Sequence, residues 1–366
     1  MVFTLSTKPL VNAANLVIIN SNVDKYDGKT TVVELTATKT ALYLNTVSKQ
    51  ILSEVKLLGV SDTEEEASIY VDALVFKSLI STIKAAQVEL EFTDDALTIT
   101  AGKSIFTIPK KGSSDGQLSK PEEFATTDSA FAEPLNLPKW KLVKNHQLYA
   151  KAENYTKPVY TYVWVGSGNV LVGDLDKGLF THSTECQLDM TCLLSESIIN
   201  LITSLPENAK ILKKETSCII YVSADSYEYR SQIIPVFESD DNGYYMSDTI
   251  LGIFDTDMPV KVSATDILTA LNQASLLAVE KEPTVNITIS TDHINIKDRR
   301  VNIGIDAQGT VDTPYTLTYK LSRLKDLVAK CPDPQLTICP RLVGDEVAGI
   351  VIHTEGYDAI ASAAED

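Results

Sequence analysis

One arrangement of apolar and polar positions recurs along this chain. A stretch with apolar residues at helical spacing is followed by three short runs in which apolar and polar residues alternate, as they do in half-buried strands. The arrangement is clearest at residues 74–109 and 264–307, where turn-forming residues separate the alternating runs. It can be read six times along the 366 residues.

Each repeat predicts one strand, one helix and a meander of three antiparallel strands. Such units predict an α+β fold in which the helices cover one side of the sheets. Two segments rich in turn-forming and acidic residues, 110–138 and 237–259, divide the chain into three parts of similar size. We therefore expect three domains, with the boundaries 1–120, 121–250 and 251–366.

The pattern predicts six helices, and Ser263 is the expected N-cap of the fifth. The repeat is least regular between the two connecting segments. The predicted helices are residues 9–20, 74–84, 144–155, 193–204, 264–279 and 321–330.

The outer faces of these helices carry Lys, Arg, Asn, Gln and Thr with few acids. In helix 74–84, for example, Val75, Phe76 and Ile80 fall on the apolar stripe, whereas Lys77 and Lys84 fall opposite. Lys and Arg bind DNA phosphates without reading sequence, so these faces are candidate DNA-facing surfaces. An ordinary solvated helix face is the alternative. The candidate DNA-facing residues are Lys8, Lys77, Lys84, Lys141, Lys144, Lys151, Arg323, Lys325 and Lys330.

The chain as a whole is acidic. It has 49 Asp and Glu against 32 Lys and Arg, a formal net charge of −17. Taken alone, this charge argues against nucleic-acid binding, which usually needs a basic surface. The contrast with the helix faces predicts charge segregation, with the bases on the helices and the acids elsewhere.

The sequence has no recognisable catalytic motif: it lacks a phosphate loop, a Gly-x-Ser-x-Gly elbow and a His-Glu-x-x-His pair. The histidines have no metal-ligand spacing, and we predict them at the surface. Acidic clusters at 62–66 and 240–241 are interpreted as solvated loops, with a catalytic pair or cation site as the alternative. We expect no enzymatic activity, no metal and no cofactor. The histidines are His146, His182, His293 and His353.

The cysteines and the chain ends suggest a compartment. The five cysteines are an odd number and form no Cys-x-x-Cys pair, which favours reduced thiols. The chain shows no apolar stretch of the ~20 residues that cross a bilayer and no secretory signal at its start. We therefore expect a cytoplasmic protein.

Two segments resemble the bacterial-type DNA sliding clamp, the β subunit of the replicative DNA polymerase. Residues 262–309 (VSATDILTALNQASLLAVEKEPTVNITISTDHINIKDRRVNIGIDAQG) are similar to its third domain in the helix, the Leu-Leu pair and the strand spacing. Residues 90–109 (LEFTDDALTITAGKSIFTIP) are similar to the end of its first domain. The resemblance extends, divergently, over nearly the whole chain. It implies three tandem clamp domains, each of two βαβββ units, with antiparallel sheets outside and helices lining a ring.

The resemblance also implies how the ring closes. Two subunits would meet head to tail around duplex DNA and tether the replicative polymerase for processive synthesis. Ile105 and Phe106 match the apolar interface positions of the first domain, and Leu276 and Leu277 match those of the third. Ordinary core positions are the alternative for each of them.

Clamps also hold short peptides of the polymerase and the clamp loader in a cleft. Residues 171–180 (LVGDLDKGLF) take the place of the family's Thr-Asp-Gly-His-Arg-Leu segment. This implies cleft positions at Val172, Gly173, Asp174 and Leu179, with Ile350 across from them. The chain departs from the pattern because His-Arg is missing and it ends in AIASAAED instead of an apolar tail.

A ring held on DNA by topology does not need strong electrostatic affinity, so the acidic balance is compatible with a clamp. The divergence suggests a bacteriophage source, and thus a bacterial or phage-infected cytoplasm. The rival hypothesis is a non-enzymatic virion structural or assembly protein built from repeated β-meanders.

Overall fold

The computed structural model describes most of the chain. The described residues are 1–18, 32–48, 50–112, 118–123, 132–147, 158–166, 168–174, 179–184, 187–188, 190–239, 247–254 and 256–363. Lys151 and the acidic pair at 240–241 lie outside them. Within the described residues no helix is long and apolar enough to cross a membrane.

The described residues form seven α-helices and twenty-six strands. The helices are α1 Thr7–Val17, α2 Ala73–Thr82, α3 Leu137–Gln147, α4 Glu196–Thr203, α5 Ser247–Leu251, α6 Ala264–Leu277 and α7 Leu321–Lys330. The strands are β1 Val2–Ser6, β2 Val32–Ala37, β3 Ala41–Val47, β4 Ile51–Leu58, β5 Val60–Ser61, β6 Ala67–Asp72, β7 Gln87–Phe92, β8 Ala96–Ala101, β9 Ser104–Pro109, β10 Glu133–Pro134, β11 Val163–Gly166, β12 Asn169–Asp174, β13 Leu179–Thr184, β14 Cys192–Leu194, β15 Lys210–Lys213, β16 Cys218–Ala224, β17 Tyr227–Ile233, β18 Val260–Ser263, β19 Thr284–Ile289, β20 His293–Lys297, β21 Asn302–Asp306, β22 Gln308–Gly309, β23 Tyr315–Lys320, β24 Gln335–Val343, β25 Glu346–Thr354 and β26 Tyr357–Ser362.

The order of these elements confirms the α+β fold and the six repeats. Strand, helix and three strands follow one another as β1-α1-β2-β3-β4, β6-α2-β7-β8-β9, β10-α3-β11-β12-β13, β14-α4-β15-β16-β17, β18-α6-β19-β20-β21 and β23-α7-β24-β25-β26. The short elements β5, α5 and β22 stand between repeats. A strand leads directly into its helix in several of them, as β6 does into α2, where the Asp72 carboxylate accepts from the Leu74 and Val75 amides.

The chain forms two compact units, one of Met1–Trp140 with Leu194–Val236 and one of Lys141–Leu193 with Phe237–Asp366. The first contains a five-stranded sheet, β5-β1-β7-β8-β9, and an eight-stranded sheet, β10-β15-β16-β17-β4-β3-β2-β6. The second contains a nine-stranded sheet, β14-β11-β12-β13-β26-β25-β24-β18-β22, and a four-stranded sheet, β21-β20-β19-β23. Within the described residues the strands pair antiparallel in all four sheets. The three domain boundaries stay a prediction.

Paired helices supply much of the core of each unit. α1 packs on α2 in the first unit and α6 packs on α7 in the second. In α7 the side chains of Leu321, Leu324, Leu327 and Val328 are buried, as its helical spacing predicts. The predicted N-cap is confirmed, because the Ser263 hydroxyl accepts from the Asp266 amide at 3.2 Å.

Several predicted elements are wrong in position. α3 begins at Leu137 instead of residue 144, with Pro138 in its first turn, where a missing N–H costs nothing. Residues 192–194 form a strand, and α4 begins only at Glu196. The alternating pattern also predicts a strand at 159–165 after the third helix, but its start is a 3-10 turn, Pro158–Thr161. After the last helix the sequence pattern predicts only two of the three strands, at 336–339 and 350–353, so the final strand, β26, was not predicted.

The apolar face of α2 is also rotated from the predicted one. Ala73, Phe76 and Ile80 are buried at helical spacing, whereas Val75 is exposed. Lys77 is therefore half-buried, and its ammonium donates to the Ile18 carbonyl at the end of α1 at 3.4 Å. Burial lowers the pKa of Lys77. A cation at a helix C-terminus is favourable. Lys77 therefore stabilises the end of α1, whether or not it also contacts DNA.

Candidate functional site

The helices carry the opposite charge balance from the chain. Within the described residues, the seven α-helices contain eight Lys or Arg and four Asp or Glu, whereas the whole chain has 32 and 49. The acids are Glu196, Asp248, Asp266 and Asp326. The predicted segregation of charge is thus present at the level of secondary structure.

The candidate DNA-facing residues differ in exposure. Lys8, Lys84, Lys141 and Lys144 are exposed, although Lys84 lies beyond the end of α2. Partly buried are Lys77, Arg323, Lys325 and Lys330. On α6 the predicted polar face is exposed, and it also includes Asp266. The exposed lysines of α1 and α3 are therefore the clearest candidates for phosphate contact, and that role stays a prediction.

One edge of the five-stranded sheet is open. Among the described strands β9 pairs only with β8, so one side of its backbone has unpaired hydrogen-bonding groups. Ile105 on this strand is 68% exposed, which excludes a core position. Phe106 is partly buried and points to the opposite face, because it lies opposite buried Ile99 whereas Ile105 lies opposite Thr100. The two predicted interface residues thus flank the edge from both faces.

One edge of the four-stranded sheet is open in the same way. Among the described strands β21 pairs only with β20. Leu276 and Leu277 at the end of α6 are 84% and 49% exposed, so neither is a core residue. They border a hollow of about 430 Å³ that reaches along the edge to Ile303. Exposed leucines beside an open strand are unusual on a monomer and are typical of an interaction site.

The candidate cleft positions lie on β12, β13 and β25 of the nine-stranded sheet, in which β26 separates β13 from β25. Val172 and Ile350 are fully buried, so their side chains contribute to the core. Gly173 lies so close to the Phe180 ring that a Cβ there would clash with it. Asp174 pairs with Leu179 through the backbone at the end of the β12–β13 hairpin, and their side chains are outside the described part. The cleft stays a prediction.

A polar network joins the strands beside these positions, and the prediction that the histidines lie at the surface is wrong for His182. This buried ring contacts the Asp358 carboxylate at 3.2 Å and Asn169 Oδ1 at 2.9 Å. His353 Nδ1 contacts the other oxygen of Asp358 at 2.9 Å, and its Nε2 lies 3.1 Å from the Thr256 hydroxyl. The network connects β12, β13, β25 and β26 through one carboxylate.

The charges within this network balance each other. Hydrogen bonds to Asp358 and to Cys339 raise the pKa of His353 to about 9. Burial acts to raise the pKa of Asp358, but the bonds from His182 and His353 hold it below its ordinary value. At neutral pH we therefore expect an imidazolium at His353 paired with a carboxylate at Asp358.

This pair predicts a pH-dependent stability. The pKa of His353 is higher in the folded chain than in the unfolded chain. Its contribution to the free energy of unfolding is therefore fully present below about pH 6.5 and is lost as the pH rises through about 9. The pKa of Asp358 is lowered, so its contribution is lost only as the pH falls below its ordinary range. Since His353 is partly exposed, we expect the alkaline loss to be about 1–2 kcal/mol. Urea unfolding between about pH 6 and about pH 10 measures it, and an Asp358→Asn variant that keeps the full pH dependence would contradict the assignment.

The acidic cluster at 62–66 is a structural loop. Asp62 accepts from the Val2 amide at 2.9 Å, and Glu64 pairs with Lys39. Within the described residues no group of His, Cys, Asp and Glu is arranged to hold a metal ion.

The fold is that of a DNA sliding clamp. The chain matches the DNA polymerase III β subunit of Pseudomonas aeruginosa over 100% of both chains, with a TM-score of 0.75 and 13% identity. It matches the sliding clamp of Bacillus subtilis over 100% of this chain and 99% of that chain, with a TM-score of 0.75 and 18% identity. It matches the Helicobacter pylori β clamp bound to a DNA ligase peptide over 100% of both chains, with a TM-score of 0.69 and 14% identity. No protein-family model and no curated protein matches the sequence.

Proposed function

We propose that this protein is a DNA sliding clamp. Two copies close head to tail into a ring around duplex DNA, and the ring tethers the replicative polymerase without catalysing a reaction itself. The observation that carries the proposal is the match between the whole chain and whole clamp structures. The open edges and the helix charges, which do not depend on that match, support it.

The open edges suit a head-to-tail contact. β9 and β21 are different surfaces of one chain. When β9 of one copy contacts β21 of another, the remaining β21 and β9 are therefore free to form a second contact of the same kind. Two such contacts close a ring of two chains. The exposed Ile105, Leu276 and Leu277 would then be buried.

The charge distribution suits encircled DNA. Bases on the helices give weak contacts to phosphate that are independent of sequence, and such contacts permit sliding. The excess of acid in the remaining chain discourages other DNA from binding outside the ring. The polymerase and the clamp loader would dock through short peptides near the β12–β13 hairpin. The solved H. pylori clamp is bound to a peptide of DNA ligase, which supports this kind of partner.

The proposal is tested by comparing binding to a nicked circular plasmid with binding to the same plasmid after it has been cut. After a long incubation with a nicked plasmid, a ring that has closed on DNA stays bound through gel filtration and is released when the plasmid is cut. We expect Lys8→Glu with Lys141→Glu and Lys144→Glu to reduce the amount of protein that closes on the plasmid during the incubation at least about tenfold, because contacts that attract the phosphates are replaced by repulsion. The control is Lys39→Glu with Lys210→Glu and Lys261→Glu, an equal charge change at lysines outside the helices.

Electron microscopy of the free protein tests the ring directly. The expected particle is a closed ring with twice the 40.0 kDa mass of the chain. A monomer at micromolar concentration, or a dimer without a central hole, would contradict the clamp. No specific observation favours the virion-protein alternative.

A further inference from the structure

The open edge of the five-stranded sheet carries opposite charges at its two ends. Lys103 stands in the β8–β9 turn, next to the Ser104 end of the edge strand. Asp94 and Asp95 stand at the other end, because Ala96 after them pairs with Pro109. Both aspartates are exposed and form no ion pair within the described chain. Lys110 beside them reduces, but does not cancel, the acidity of that end.

The open edge of the four-stranded sheet is charged at both ends as well. Lys297, Arg299 and Arg300 surround the turn that leads to the Asn302 end of β21. Asp298 lies among them, and Glu280 pairs loosely with Arg299 at 3.9 Å, so this end is basic on balance. The other end is acidic. It carries Asp306 and, across the sheet beside His293, Asp292.

These charges select one orientation of strand pairing. In an antiparallel β9–β21 contact the Lys103 end meets the Asp306 end, and the Asp94–Asp95 end meets Arg299 and Arg300. A parallel contact would place Lys103 against the arginines and the aspartates against Asp306. Like charges brought together at an interface are strongly unfavourable, so only the antiparallel contact is compatible with the charges.

A pocket lies at the basic end of the four-stranded sheet's open edge. A polar pocket of about 570 Å³ opens there between the end of α6, the start of β19 and the β20–β21 turn. Its lining contains three bases, Lys297, Arg299 and Arg300, and two acids, Glu280 and Asp298, so it is basic on balance, and the exposed side chain of Val279 stands at its rim. A pocket of this size and charge fits an acidic turn of a few residues.

We propose that the partner of this pocket is the Asp94–Asp95 turn of a second copy of this chain, and that these charges fix the antiparallel register in which the ring closes. The inference rests on the proposed ring. It adds the residues that decide which edges meet and in which direction. Because the acidic turn and the basic pocket belong to different edges, each copy offers one of each.

A charge exchange tests the contact. One variant carries Asp94→Lys and Asp95→Lys, and the other carries Arg299→Glu and Arg300→Glu. Each alone should dimerise about ten- to a hundredfold more weakly, since like charges now face each other. An equimolar mixture should recover dimers of near wild-type strength, because one interface of the mixed ring is wild type and the other is fully exchanged. Sedimentation of each variant and of the mixture measures this.

The matched control carries Glu89→Lys and Glu91→Lys. These exposed acids lie on the same sheet but on β7, two strands from the open edge, and their substitution makes the same charge change. We expect it to leave dimerisation within about twofold, because exposed charges so distant are largely screened. Equal weakening by the control, no weakening by either variant, or no recovery in the mixture overturns the inference. The assay contains no DNA, so it tests the contact separately from the clamp function. If a ring forms but its stability does not depend on these charges, only the proposed contact is overturned. If the dimer depends on the charges but is not retained on DNA, only the clamp function is overturned.

Discussion

Replacing Arg230 with Ala should lower the free energy of unfolding by about 3–5 kcal/mol, because it leaves a buried carboxylate without its charged partner. Arg230 on β17 lies directly opposite Glu54 on β4 and pairs with it. Glu54 is only 4% exposed, so water cannot replace the guanidinium. This is among the largest effects that the structure predicts for a single substitution.

The surroundings of Glu54 increase this cost. Glu54 lies opposite Asn45, which lies opposite Glu34 on the next strand, so two buried carboxylates stand in one row across the sheet. Glu34 is held by the Asn45 amide at 3.2 Å and the Tyr70 hydroxyl at 2.8 Å. Burial and the bond to Glu34 raise the pKa of Tyr70 to about 12, so this donor keeps its proton. No other described cation pairs with Glu54, so Arg230 has no substitute.

The neighbouring ion pair is a matched control. Lys56 and Glu228 lie opposite each other on the same two strands, 3.5 Å apart, and both side chains are partly exposed to water. Lys56→Ala should therefore cost less than about 1 kcal/mol. Urea unfolding of both variants gives the comparison. The structural role of Arg230 would be refuted if its substitution were as mild as that of Lys56. Replacing Arg230 and Glu54 together with Met and Leu should recover much of the loss, because no buried charge remains.

The sequence was informative where a strong local pattern coincides with burial. α7 was predicted to the residue and α6 to within two residues, since both combine helical spacing with clear ends. β26 was missed because its YDAIAS segment contains small alanines that give a weak strand signal. α3 was displaced because its lysines make the segment polar on average, which obscures the helical spacing of the buried Trp140 and Val143.

Burial of polar groups could not be predicted, because it depends on distant segments. Alternation places Glu54 on a polar face, but nothing local indicates that the face is covered. Part of that cover is the connecting segment at 118–123, where the Glu122 amide donates to Gln232 Oε1 at 3.0 Å. His182 and Asp358 are similarly separated by 176 residues. Only the tertiary structure brings such partners together.

The candidate site was predicted in part. The lysines on α1 and α3 and the leucines at the end of α6 are exposed as their proposed roles require. Lys77 was placed on the wrong face because Ala73, four residues before it, lies in the helix and is buried together with Phe76 and Ile80. The charged residues at the ends of β9 and β21 lie in turns that the sequence predicts. Their significance required the strand order, which shows that both edges are open.

Replacing Leu276 with Asp should abolish self-association at micromolar concentration. Leu276 is 84% exposed beside an open strand and next to Leu277. In the proposed ring it is desolvated at both subunit contacts. Loss of a central apolar contact at an interface commonly costs at least about 2 kcal/mol, or about thirtyfold in the dissociation constant, and a buried carboxylate adds to that cost. Sedimentation equilibrium of wild type and variant measures the change.

Leu58→Asp is the control for this substitution. Leu58 is another exposed leucine, 63% accessible, but it lies at the end of β4 and borders neither open edge. Its change should leave the dimer intact, whereas Leu276→Asp should yield folded monomers with unchanged unfolding, since the side chain contributes little to the core of one chain. The same monomers should lose retention on nicked circular DNA, because an open chain cannot be held by topology. A Leu276→Asp protein that still dimerised would move the interface elsewhere. Monomers that kept full retention would show that binding does not depend on encirclement.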